Sequence, residues 1–425
     1  MEKVVIVDGL RTPYIKAGTD FKHLSAVELG RVALKELIER TDIEPSALDE
    51  VIIGNVSQPV DSANPSRVIA LRAQVPQSVP AHTVHRNCAS GMQAVTNASL
   101  QIIAGESKVV AAGGVESMSR IPFYFTPELQ EIITNFQRAK TIPKRLNLLS
   151  SIRAHHLKPV IGVMLGLTDP VCGKNMGETA EILAREFGIT RDDQDGFSLE
   201  SHRKAVAAGE KLAEEIVSVF IPPDYNAVEK DNGPRVQQTI EALKKLKPVF
   251  DRKYGTVTAG NASQLTDGAA MLLVMTEKRA KELGYEPLGY IKAFAYAGLD
   301  PLRMGLGPVF ATHKALKKAN LELSDIQLIE LNEAFAAQVI ACEKAFASKE
   351  FAEKHFGDKK AVGELNREIM NVNGGAIALG HPVGSTGARM ILTLLREMKR
   401  RDLNLGLATL CIGGGQGGAV IVERP

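Results

Sequence analysis

Short apolar runs alternate along this chain with longer stretches in which apolar residues recur every three or four positions. The segments "KVVIVDG", "EVIIGNV", "KVVAAGG", "AAMLLVM", "IQLIELN", "GLATLCI" and "GAVIVE" are apolar on both faces, the pattern of strands covered from two sides. "SAVELGRVALKELIER", "CASGMQAVTNASLQIIAG", "VFATHKALKKA" and "GSTGARMILTLLREMKRR" carry helical spacing. The last closes on Arg396, Lys399, Arg400 and Arg401, which read as a solvated basic end complementing the helix dipole. Thr190 and Asp193 form a capping-box pattern at the start of another helix. Together these elements predict an α/β protein with helices laid over its sheets.

The chain also repeats itself. "IEPSALDEVIIGN", from Ile43 to Asn55, lines up with "LELSDIQLIELNE", from Leu321 to Glu333, each following a helix and running into an apolar strand. Two similar halves are expected, the second starting near Pro287. Between them, residues 132–168 hold no Asp or Glu, but carry Arg138, Lys140, Lys144, Arg145, Arg153 and Lys158 among leucines and "PVIGVMLG". This stretch reads as a solvated loop face or as a surface for something anionic. His155 and His156 are adjacent, which is the wrong spacing for a shared metal on one helix face.

A length of 425 residues with 44% hydrophobic content suits two or three domains with sizeable cores. Lysine and arginine (51) nearly balance aspartate and glutamate (49), so no whole-molecule field points to nucleic acid. Four cysteines make no disulfide framework, and free thiols fit a reducing compartment. "MEKVVIVDGLRTP" enters a strand-like run without a signal-peptide pattern, and no apolar stretch approaches the ~20 residues of a membrane span. A soluble cytoplasmic protein is expected.

Chemistry concentrates in a few glycine-rich places. "ATLCIGGGQGG" puts Cys411 at the mouth of a flexible turn, where it is a packed small hydrophobe or a reactive thiol. No Lys-Ser/Thr follows those glycines, so a phosphate loop is excluded. "HRNCASGMQAV" sets Cys88 just before a helix, whose N-terminus favours a thiolate. "NVNGGAIALGHPVGSTGARM" presents His381 from a glycine loop without the carboxylates or histidines of a metal site, as a general base or an oxyanion donor. Asn332, in "LIELNEAFAAQ", is either a helix N-cap or an amide that holds an oxyanion or a water. Two thiols, an imidazole, an amide and turn N–H groups suffice for acyl transfer through a cysteine, coupled to proton transfer at a carbon beside a carbonyl. That is the chemistry of a Claisen condensation or its reverse.

On these residues the chain resembles the thiolases. "NCASGMQA", "GTVTAGNASQLTDGAA", "NEAFAAQ", "NVNGGAIALGHPVGSTGAR" and "CIGGGQGG" match separated family blocks in the family's order, across essentially the whole chain. The resemblance implies that Cys88 is the acylated nucleophile, His381 its activator and Cys411 the acid/base thiol. It implies one oxyanion hole at Asn332 with His381 and another at the N–H groups of Cys88 and Gly413. Ala259, Ser263 and Met176 would line the coenzyme A path, with Phe335 near the acyl pocket. It further implies the thiolase fold: two similar mixed five-stranded sheets in αβαβα layering, with halves at 1–120 plus 246–286 and at 287–425, and an inserted loop domain at 121–245. Expected with it are coenzyme A as co-substrate, no metal or permanently bound cofactor, and a homodimer or homotetramer. The basic loop resembles that of trifunctional-complex β subunits, so a hydratase/dehydrogenase α subunit or a membrane surface is a candidate partner through residues 132–168. Asn332 and "AGN" instead resemble acetoacetyl-CoA or general thiolases. The competing readings are an acetyltransferase specialised for acetoacetyl-CoA, a condensing 3-ketoacyl synthase, and a non-catalytic assembly protein of the same fold.

Overall fold

Nine strands, described with residues 2–425 by a computed structural model, pair in the way the apolar runs require. They are β1 (Val4–Arg11), β2 (Glu50–Gly54), β3 (Ala81–Val84), β4 (Val109–Ser117), β5 (Thr266–Thr276), β6 (Gly289–Gly298), β7 (Leu328–Leu331), β8 (Leu405–Ile412) and β9 (Gln416–Glu423). Their order across the sheet is β3–β2–β4–β5–β1–β6–β9–β8–β7, with Ile15–Lys16 pairing on β5.

The internal repeat is a structural one. In the first half β2 runs parallel to both β3 and β4, while β5 is antiparallel to β4 and β1. In the second half β7 is parallel to β8, and β9 is antiparallel to β8 and β6. A parallel bridge from Ile329 to Met370 stands where β3 stands in the first half. Val51 and Ile329 hold matching positions, and the 3-10 turns Pro45–Ala47 and Leu323–Asp325 precede them at the same spacing. The two halves meet edge to edge where Val5 pairs with Tyr290 and Ile6 with Gly289, so the two expected sheets share one hydrogen-bonded seam.

Alternation along the strands sorts side chains into layers. Val51 and Ile53 pack outward on the helix Ala26–Thr41, through Leu29 and Leu34. Ile52 points the other way, into a core shared by the helices Ser90–Ala104 and Thr386–Arg401, which also takes Ala408 and Val420 from the second half. Leu407 and Ile421 face outward onto the helices Gly307–Ala319 and Ala336–Ala347. The result is the expected αβαβα layering, with two helices in the middle layer.

Residues 121–168 form a separate compact unit, and 169–245 of the expected insert group with the rest of the chain. The buried Arg11 gives a reason for that grouping, since its guanidinium pairs with Glu215 at 2.6 Å and Asp231 at 2.7 Å. Removing Arg11 alone would strand two carboxylates, a change that typically costs ~3–5 kcal/mol. The smaller unit holds the helices Pro127–Arg138 and Ile142–Ser150 and a short pairing of Phe123–Tyr124 with Val160–Ile161. Ile142, Leu146, Leu149 and Leu157 are exposed there. Among the described residues no helix is long and apolar enough to cross a membrane.

Of two expectations about helix ends, one holds and one needs adjusting. Thr190 caps its helix with Asp193 as predicted. The basic end of Thr386–Arg401 is not simply solvated, because Arg396 pairs with Asp8, and Arg400 with Glu214 and the buried Glu397. This helix end lies against the body, where Asp8 and Glu214 take the place of water around Arg396 and Arg400.

Candidate active site

Cys88 and His381 come from equivalent places in the two halves, each just ahead of one of the central helices. The two helix starts interlock. A Cβ on Gly91 would lie 2.8 Å from Gly384 O, so only glycine lets the His381 loop approach the Cys88 helix this closely. Glu116, at the end of β4, fastens that loop by accepting hydrogen bonds from the N–H groups of Gly384 (3.0 Å), Val56 (3.1 Å) and Ser57 (2.9 Å). Burial still pushes the Glu116 carboxyl up to about 7.

His381 is buried, and its tautomer is assigned from its hydrogen-bond partners. With the Thr386 hydroxyl assigned as donor to Pro382 O at 3.0 Å, it accepts from His381 Nδ1–H at 2.6 Å. Nε2 is then bare, and faces the Asn332 amide nitrogen at 3.4 Å. Burial, aided by the Arg389 charge, pushes the ring down to about 3, so it is neutral at physiological pH. Asn332 does not cap the following helix, which begins at Ala336 with Phe335 in the cap position. The N-cap alternative therefore falls, because the side chain turns inward to His381 instead. Asn332 Oδ1 is buried without a hydrogen-bond partner among the described residues.

The two thiols differ. Cys88 is half-buried, and burial raises its pKa while the N–H groups of Gly413 and of Cys88 itself pull it back. Cys411 is 1% exposed at the end of β8, opposite Gly417. Burial, followed by the neighbouring Cys88 and Cys342 thiols, drives its pKa well up. One thiol thus has donors waiting for its anion, and the other is kept protonated. A neutral imidazole, a half-buried thiol with backbone donors around it, a protonated thiol and an inward amide make a constellation able to form and break an acyl–sulfur bond beside a carbon acid.

Residues 4–278 match the family described as "Thiolase, N-terminal domain", and residues 285–424 match "Thiolase, C-terminal domain". The chain belongs to the thiolase family. It is 42% identical to the 3-ketoacyl-CoA thiolase of Yersinia enterocolitica over 425 residues, spanning 99% of this chain and 97% of that one. The 3-ketoacyl-CoA thiolase of Serratia proteamaculans matches with the same identity and coverage. Among solved structures, Bacillus anthracis acetyl-CoA acetyltransferase superposes with a TM-score of 0.87 at 40% identity, covering 100% of this chain and 99% of that one. Human mitochondrial 3-ketoacyl-CoA thiolase in complex with CoA superposes with a TM-score of 0.85 at 34% identity, covering 100% and 98%.

The remaining expected thiolase residues are spread around this centre. The Met176 sulfur lies 3.2 Å from where a Cβ on Gly413 would be, which places Met176 beside the glycine turn. Ser263 N–H donates to Ala334 O at 2.9 Å and Ala262 bridges to Phe335, so the "GNAS" loop pairs with the segment after Asn332. Phe335 is buried with its ring edge-on to Phe250 at 6.1 Å. Ala259 is exposed in the same loop. Sequence reasoning missed Thr386, Glu116 and Asn87. Thr386 stands in the quoted "GSTGAR" block, and only its distance to His381 marks it out.

Proposed function

We propose that this thiolase cleaves 3-ketoacyl-CoA with coenzyme A, giving acetyl-CoA and a shortened acyl-CoA, and runs the reverse Claisen condensation. The reading rests on one observation: a neutral His381 with a bare Nε2, beside Asn332, lies in a loop interlocked with the helix that carries Cys88. In the forward direction His381 takes the Cys88 proton and the thiolate attacks the 3-keto carbon. The imidazolium that forms is offset by the thiolate beside it, which counters the burial penalty on the ring. The N–H groups of Cys88 and Gly413 receive the oxyanion. The bond between C2 and C3 then breaks, and Cys411 supplies the proton that turns the departing enolate into acetyl-CoA. In the second half-reaction the thiol of coenzyme A gives its proton to the Cys411 thiolate left by the first, attacks the acyl-Cys88 carbonyl and expels the Cys88 thiolate, which recovers its proton from the His381 imidazolium as the shortened thioester leaves.

Coenzyme A is a co-substrate in this scheme, and no permanently bound group is required. Ser263, Ala259 and Met176 are proposed to border its path, and Phe335 the acyl pocket. The relatives' names support 3-ketoacyl-CoA as the substrate class. We place the protein in the cytoplasm as a homodimer or homotetramer, with the basic stretch at 132–168 facing an anionic partner or membrane. The test is thiolysis of 3-ketoacyl-CoA from C4 to C16, followed by loss of the magnesium-enolate absorbance near ~300 nm. Cleavage of C4 alone would favour an acetoacetyl-CoA acetyltransferase, and no cleavage at any length would end the proposal.

A further inference from the structure

The nucleophile turn of the first half is stapled to the glycine turn of the second. Asn87 Nδ2 donates to Gly413 O at 2.7 Å across 326 residues of sequence. One residue earlier, Arg86 reaches Gln416 Oε1 at 3.0 Å while its guanidinium lies over the Tyr296 ring. The glycine turn needs such staples. Gly414 and Gly415 sit at φ of 86° and 76°, where glycine moves freely, so the peptide planes around Gly413 have little stiffness of their own. Leu299 N–H fixes the far end through Gly415 O at 2.8 Å. Among the described residues no backbone donor reaches Gly413 O, which leaves Asn87 to hold it.

Asn87 is itself set for this task. Its φ of 43° lies in the left-handed region, which asparagine tolerates better than most residues. Ser90 locks that conformation, its hydroxyl donating to Asn87 O at 2.7 Å while accepting from Arg86 N–H at 2.9 Å. The Asn87 amide is thereby aimed at Gly413 from a rigid base.

We infer that Asn87 is a positioning residue, whose amide fixes Gly413 so that the Gly413 N–H stays turned towards the Cys88 sulfur and the oxyanion that forms there. This rests on the proposed roles of Cys88 and Gly413. Asn87 touches no reacting atom. It acts by keeping a mobile turn in the one orientation in which its donor is useful. Because donor and nucleophile come from opposite halves, the staple also registers the halves at the point of reaction.

The test uses the full-length protein and two substitutions, Asn87→Gly and Asn87→Asp. Both keep the left-handed backbone available and remove the donor; the second also sets a carboxylate against a carbonyl. Each should lower kcat by about 10- to 100-fold, short of the ~10²–10³ lost when an oxyanion donor is deleted outright. KM for a 3-ketoacyl-CoA should stay near its original value. The pH dependence of Cys88 alkylation by iodoacetamide, mapped by mass spectrometry, should shift to higher pH, because the thiolate loses a held N–H. If one variant folds poorly, the other decides. A variant with unchanged kcat and an unchanged alkylation profile would overturn the inference, whatever its melting temperature, and would leave the bond as a structural staple. If the original protein cleaves no 3-ketoacyl-CoA, the functional proposal fails by itself, and the alkylation comparison still decides the role of Asn87.

Discussion

Thr386 accepts the Nδ1 proton of His381 at 2.6 Å, and in doing so dictates which imidazole nitrogen faces the site. In this arrangement the hydroxyl's own proton goes to Pro382 O at 3.0 Å. Thr386→Val should therefore lower kcat by about tenfold, a share of the ~10²–10⁴ that general acid–base catalysis contributes. KM should change little, and Thr386→Ser should restore the rate. Equal impairment of the valine and serine variants would show that the methyl group, not the hydroxyl, matters.

Asn332 faces His381 from a buried position at the end of β7. Asn332→Ala is expected to cost ~10²–10³ in kcat if the amide serves an oxyanion. The alternative outcome is a marked loss of melting temperature with near-normal specific activity, which would make the amide a packing group.

The proposed mechanism divides the chemistry between Cys88 and Cys411. Incubation with acetyl-CoA should label Cys88 and not Cys411, as read by peptide mapping. Cys411→Ala should still accept the acyl group yet lose condensation and hydrogen exchange at the α-carbon of acetyl-CoA. Normal turnover by that variant would reduce Cys411 to core filling.

Much of this architecture is legible in the chain because its strands are apolar on both faces. β3 and β6 escape notice: each residue of β3 is only half-buried and His82 and Thr83 break its apolar run, while the exposed Lys292 interrupts β6. Cys88, His381 and Cys411 stand out through their own surroundings, a helix start or a glycine loop. Glu116 and Asn87 do not, because what they do depends on Gly384 and Gly413, 268 and 326 residues away. A hydrogen bond across that separation leaves no local pattern. The reading of Asn332 stayed divided for a similar reason: only the position of His381 decides between capping the next helix and turning inward.

Acid should destabilise the protein through its buried histidines. His202 is buried, and desolvation followed by the Arg235 charge lowers its pKa from 6.5 to about 4. The unfolded chain binds the proton more readily, so the stabilisation present above pH 6.5 is lost as pH falls towards 4. His202→Gln should flatten the melting-temperature curve across that window. An unchanged slope would assign the acid sensitivity to other groups, His381 among them.

Charge reversal probes the separate basic unit. Changing Arg138, Lys140, Lys144 and Arg145 to Glu should leave kcat and KM for coenzyme A intact while abolishing salt-sensitive binding to anionic vesicles or a co-purifying subunit. A raised KM would instead tie this unit to substrate capture, and no change in either property would leave it a solvated face.

The seam between β1 and β6 joins two copies of one pattern, and the copies are no longer alike where it counts. One kept a thiol ahead of its central helix, and the other an imidazole. Two identical copies would have set the same side chain ahead of both central helices, and the proposed pairing of a thiol with an imidazole would be lost. The proposed reaction therefore draws on what differs between the two halves rather than on the pattern they share, and each half on its own holds only part of the site.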